Sequence, residues 1–184
     1  TGNYNTAVGA GALDATTGAQ STAVGYLALG AATSAQNTVV GCYNGNAITS
    51  GTGNTAIGYH SLTSLTTGDA NTSLGHMTLA NCTGGGNVAI GYKAMDVATS
   101  ADDNVVIGQD AGHVLSEGDQ NILIGKDGGA SVTTGDNNII IGYQAGTSSS
   151  PVNIITGDNK ICLGNNSIGD AYIKVDWTVG SDKR

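Results

Sequence analysis

Few side chains in this chain are equipped for chemistry. Three histidines (His60, His76 and His113), three cysteines (Cys42, Cys82 and Cys162) and seven tyrosines stand among 184 residues. Nucleophilic catalysis would need a hydroxyl or thiol paired with a base. A metal site would need histidines and acids that converge. Glycan recognition would use tyrosine rings and neutral amides or hydroxyls. The histidines fall at different positions of the repeat set out below, so no shared metal set is expected. The odd number and wide spacing of the cysteines read as small buried hydrophobes, not as a disulfide framework or zinc site. Asp69, Asp119, Asp136 and Asp158 each follow a glycine at regular intervals. That regularity is the mark of solvated turns; it singles out no glycosidase-type carboxylate pair and lacks the glycine-rich run of a calcium roll. The sequence therefore predicts no enzyme, no cofactor and no metal. What remains is a set of receptor-contact candidates: Tyr26, Tyr59, Tyr92 and Tyr143, with His60 and His76 nearby.

The elements that must carry these residues are repeats. The pentad Asn5-Thr-Ala-Val-Gly9 recurs at Ser21–Gly25, Asn37–Gly41, Asn54–Gly58, Asn71–Gly75, Asn87–Gly91, Asn104–Gly108, Asn121–Gly125 and Asn138–Gly142, with a drifted copy at Lys160–Gly164. Successive copies are 16 or 17 residues apart, and the last is 22 residues on. A second small corner residue precedes each pentad by three positions, as at Gly51, Gly68, Gly118 and Gly135. Helical repeats need about 30 residues or more. A unit this short, with two glycine corners and runs of Val and Ile between them, is one coil of a β-solenoid. About ten coils are expected, each with two strands. The solenoid is expected over residues 1–168 and a final strand, with the junction discussed below, over 169–184.

Columns can be read down the stack. The position before each pentad glycine is always aliphatic (Val8 through Leu163), and the position two earlier runs from Thr6 to Ile161. Strand alternation puts these two on one face, and their apolar character assigns that face to the interior. The intervening column then points outward and includes Val39, Val106, Leu123, Ile140 and Cys162. Apolar residues on an outer face mark an interface, so these five are the expected contacts of a homo-oligomer, for which a trimer fits the resemblance given below. With the threonine column inside, no ice-facing threonine array is expected. The pentad's first position, asparagine in eight of ten copies, predicts an asparagine ladder at a corner.

Composition removes other classes. The formal net charge is −8, and the six basic residues include one arginine. A nucleic-acid partner needs a basic face, so none is expected. No run of 18 apolar residues is present, so no membrane-spanning helix is expected. No charged-then-apolar leader opens the sequence. Charged residues make up 11% of the chain and glycine 30 positions, leaving a surface of Asn, Thr, Ser and backbone.

Units such as Asn54-Thr-Ala-Ile-Gly58-Tyr-His-Ser-Leu62 and Asn87-Val-Ala-Ile-Gly91-Tyr-Lys-Ala-Met95 resemble the head repeats of trimeric autotransporter adhesins, which are left-handed parallel β-rolls. They resemble still more the repeats of phage tail fibres and tailspikes. The ending Gly180-Ser-Asp-Lys-Arg184 is similar to the junction between a tail fibre and an endosialidase-type intramolecular chaperone. That resemblance implies that Ser181 is the residue at which a longer parent cuts itself. It further implies a homotrimeric host-attachment rod on a virion tail, facing a cell-surface glycan or outer-membrane receptor. The alternative is the head of a bacterial surface adhesin.

Overall fold

The computed structural model describes residues 2–15 and 18–169. Ser181 and nearly all of the segment expected to form the last strand and junction lie outside them. The described chain is an all-β parallel solenoid. Its ten strands are β1 (Thr6–Val8), β2 (Thr22–Val24), β3 (Thr38–Val40), β4 (Thr55–Tyr59), β5 (Thr72–His76), β6 (Val88–Ile90), β7 (Val105–Ile107), β8 (Ile122–Ile124), β9 (Ile139–Ile141) and β10 (Ile161–Leu163). They form one parallel sheet in chain order, each pentad in register with the next. Eight steps between strands are regular, at 16 or 17 residues, and the ninth spans 22. The regular solenoid is thus about eight turns, fewer than the expected ten, because ten strands bound only nine steps and the last is stretched by an insertion. At ~4.8 Å per parallel step the stack is about 43 Å long.

Each coil contributes one strand, not the expected two. The rest of the circuit is made of turns whose N–H groups point alternately to the two neighbouring coils. In the second coil, Leu27 N–H donates back to Ala10 O and Leu29 N–H donates forward to Asn44 O. That alternation requires left-handed backbone at every second residue: Leu27 has φ 52° and Leu29 φ 51°, and His60 and Leu62 repeat the pair at 53° and 50°. A side chain in that region costs ~1 kcal/mol or more. The inter-coil ladder offsets this cost, since each strained residue keeps its backbone hydrogen bond. The pentad glycine is required for a different reason. A Cβ on Gly58 would lie 2.0 Å from the carbonyl oxygen of Gly75 in the next coil.

The core is a thin column: a small residue three after the pentad glycine is fully buried (Ala28, Ser61, Ala94, Ala111 and Ala145), and three further inward positions per coil carry most of the apolar volume. One is the middle residue of the strand, one lies four residues after the pentad glycine, and one seven after it. In the fourth coil these are Ala56, Leu62 and Leu65, all fully buried. The first two compensate each other in volume. Where the strand supplies Ala23, Ala56, Ser73 or Ala89, the facing wall supplies Leu29, Leu62, Leu79 or Met95. Where the strand supplies Val39, Val106, Leu123 or Ile140, the facing position is Gly45, Gly112, Gly129 or Gly146. A Cβ on Gly129 would stand 2.7 Å from Leu123 Cδ2, and one on Gly146 would stand 2.8 Å from Ile140 Cδ1. Close packing at constant coil width demands this exchange of large for small.

The expected asparagine ladder is present. Asn37, Asn54, Asn71, Asn87, Asn104, Asn121 and Asn138 are fully buried. Asn104 Oδ1 accepts the backbone N–H of Asn121 at 2.8 Å, and its Nδ2 donates to Gly118 O at 2.9 Å. Every rung repeats the pattern, so the polar corner is satisfied coil by coil.

Candidate functional site

Burial reverses the two faces expected of the sheet. Val39, Val106, Leu123 and Ile140 are fully buried inside the coil, and Cys162 nearly so. These five cannot be outward contacts between chains: the first four fill the space opposite the wall glycines, and Cys162 continues their buried column. The outward residues are the first and third of each strand. The third column is consistently aliphatic and open: Val8, Val40, Ile57, Leu74, Ile141 and Leu163 are all exposed, and Val24, Ile90, Ile107 and Ile124 are half-buried. The first column is Thr6, Thr22, Thr38, Thr55 and Thr72, then Val88, Val105, Ile122, Ile139 and Ile161. The outer face of the sheet is therefore half threonine, half aliphatic at its start and almost wholly aliphatic from β6 onward. The threonines stand outward too, so the expectation that they are interior fails. They form a single rank that ends at Thr72.

At the margin of this face, one and two residues past the pentad glycines, aromatic and imidazole rings form a continuous strip. Tyr26 and Tyr43 meet edge to face at 5.2 Å, and Tyr43 and His60 are 5.1 Å apart. Tyr59 lies 4.4 Å from His60 and 5.2 Å from His76, and His76 is 5.3 Å from Tyr92. Lys93 closes the strip with its Nζ 5.7 Å from the Tyr92 ring centroid, a cation–π distance. The structure thus brings together five of the six predicted contact residues. Tyr143 is apart, separated from Tyr92 in its column by Gln109 and Lys126. Tyr43 lies outside the expected set because it sits one position further from its glycine than the other tyrosines; the ring at His60, in the same position of the next coil, is the signal for it. The phenolate charge of Tyr26, followed by burial and the hydrogen bond between the two, raises the Tyr43 phenol above its ordinary value.

The remaining chemical groups are absorbed by the fold. Asp69, Asp102, Asp119, Asp136 and Asp158 form a corner column in which each Oδ1 accepts a backbone N–H of the preceding coil, as Asp136 Oδ1 does from Asp119 N at 2.8 Å. Gly85 interrupts the column between Asp69 and Asp102. His113 Nδ1 bonds the carboxylate of Asp96, which is 5% exposed. Cys82 and Cys162 are buried, Cys42 is partly exposed, and all three are free. Burial pushes the Cys82 thiol up to about 11. Among the described residues no group of three or more His, Cys, Asp or Glu converges, and no helix is long and apolar enough to cross a membrane.

Comparison of the chain with known protein families, with curated proteins and with solved structures gives no match. The functional reading therefore rests on the geometry of the outer face and the aromatic strip.

Proposed function

We propose that the chain is a rod segment of a viral, tail-fibre-like attachment protein, assembled as a parallel homotrimer of left-handed coils, with adhesive rather than catalytic action. The observation that carries the proposal is the aliphatic outer column of the sheet. Isoleucine, leucine or valine occupies it in every coil, with Val8, Leu163 and Ile57 at 58%, 55% and 41% exposure. A strand with one solvated face alternates apolar with polar residues, the polar ones facing water. A sheet apolar on both faces is one covered on both, and a second and third copy of the same chain supply matching columns at the same axial spacing. Thin coils whose interior holds only a few side chains each gain the most from such burial. The neutral surface of Asn, Thr, Ser and Tyr suits contact with the sugars of a host cell surface, and the aromatic strip is the contact region best supported.

Light scattering on the intact chain tests the assembly. A trimer is expected, and Ile124→Asp combined with Ile141→Asp should release monomers that keep the β-sheet signal. Leu123→Asp, which places a carboxylate inside the coil, should abolish folding instead. A stable monomer for the unaltered chain, with its aliphatic column in water, overturns the proposal.

A further inference from the structure

We infer that the strip from Tyr26 to Tyr92 is a binding track for an extended, uncharged, β-1,4-linked polysaccharide running parallel to the solenoid axis. The inference deepens the proposed attachment role and rests on it for biological context, but its argument is geometric. In the column just past the pentad glycines, the large rings do not occur in every coil. Tyr26, Tyr59 and Tyr92 occupy the second, fourth and sixth coils, with Cys42 and His76 between them. Parallel stacking fixes the step between alternate coils at ~9.6 Å. A flat, two-fold β-1,4-linked chain presents the same sugar face at every second ring, over a length close to two strand spacings. Three tyrosines in one column, two coils apart, therefore meet three equivalent sugar faces of one straight chain. A helical α-linked chain curves away from such a row.

The intervening groups set the pose of the platforms. His76 stands at 61° to both Tyr59 and Tyr92, at 5.2 and 5.3 Å, as expected for rings related by the repeat. Tyr43 lies at 88° to Tyr26, supporting it edge to face. The three platforms share one degree of exposure, 48%, 47% and 44%, so each ring is about half open to a ligand. Rings held by neighbours lose little freedom when a sugar stacks on them. The charge balance selects a neutral ligand. Lys93 is the only cation of the strip and already faces Tyr92, while Asp110 and Asp127 occupy the column of Tyr43 and His60 further along. An anionic chain would meet a protein of net charge −8, with Lys93 and, two coils on, Lys126 set against Asp110 and Asp127 along the two columns.

The test is affinity electrophoresis of the full chain in gels containing hydroxyethylcellulose, with amylose and alginate as the α-linked and anionic comparators, and co-sedimentation with crystalline chitin. Retention by hydroxyethylcellulose and chitin is expected, with none by amylose or alginate. Tyr59→Ala should weaken retention by tenfold or more, since the central platform contributes a full stacking contact, whereas Tyr143→Ala, outside the strip, should leave it unchanged. Circular dichroism of each variant establishes that the solenoid is intact. No retention by either β-linked polysaccharide, equal retention by all of them, or Tyr59→Ala binding as well as the unaltered chain overturns the inference. A trimer that ignores β-linked chains sinks this inference alone, and a monomer that binds them sinks only the proposed assembly.

Discussion

Replacing Leu123 with alanine removes the side chain that fills the eighth coil, and the structure states what should compensate. The loss of transfer energy is ~2.5 kcal/mol, and the cavity beside Gly112 and Gly129 brings the cost to about 3–5 kcal/mol. Gly129→Leu in the unaltered chain fails for the opposite reason. Its Cβ would lie 2.7 and 2.9 Å from the two Cδ atoms of Leu123, an overpacking of about 1–3 kcal/mol. The backbone at φ +64° adds ~1 kcal/mol for a residue with a Cβ, a conformation that Leu62 and Leu79 already adopt in the same column. The double variant restores the arrangement of the fourth coil, small on the strand and large on the facing wall. It should be at least ~2 kcal/mol more stable than the sum of the single losses. Urea unfolding followed by circular dichroism at fixed protein concentration reads all three. Additive losses, with coupling within ~0.5 kcal/mol, would refute the claim that the two walls exchange volume.

Asn104→Ala should cost about 2–4 kcal/mol, since it strands the buried N–H of Asn121 and the carbonyl of Gly118; Asn104→Asp keeps the acceptor but sets a buried carboxylate against Asn87 Oδ1, Asp102 O and Gly118 O and should lower the melting temperature at neutral pH at least as far. In the folded protein an Ellman titration at pH 8 should detect Cys42 alone, with all three thiols appearing in denaturant. Because burial raises the Cys82 thiol to about 11, its reactivity should stay low as pH rises and increase only as pH approaches that value; ready labelling of Cys82 at pH 8 would contradict its burial. His113→Ala removes the partner of a nearly buried carboxylate and should lower stability by about 1 kcal/mol, discounted for the exposure of the imidazole, whereas the same change at exposed His76 should leave the melting temperature unmoved.

Much of the fold was legible in the chain. The recurring pentad dictated parallel stacking in register, because only that arrangement places Asn54 over Asn37 and Gly75 over Gly58. Asparagine at the first position announced its own ladder, since an amide offers both the donor and the acceptor that a buried corner needs. The receptor candidates were legible as a column, and the structure added Tyr43 and set Tyr143 apart. The second strand expected in each coil was not there, because every second residue of that stretch adopts left-handed backbone, even at Leu27, Leu29 and Leu62, against local preference. That outcome comes from hydrogen bonding to coils above and below, which no single repeat contains.

Which face of the strand points inward was decided only by the tertiary structure. Alternation says that Ile122 and Ile124 share a face and that Leu123 takes the other, but it is unchanged when the two faces are exchanged. Both faces are apolar here, so hydrophobicity does not break the tie. Volume does. The middle column swings from Ala56 to Leu123 while the wall facing it swings from Leu62 to Gly129, and a coil of constant width closes only if those two columns meet inside it. The sequence by itself determined the repeat, the register and the polar ladder. The closing of each coil around a fixed volume decided the core, and with it which apolar residues are left outside.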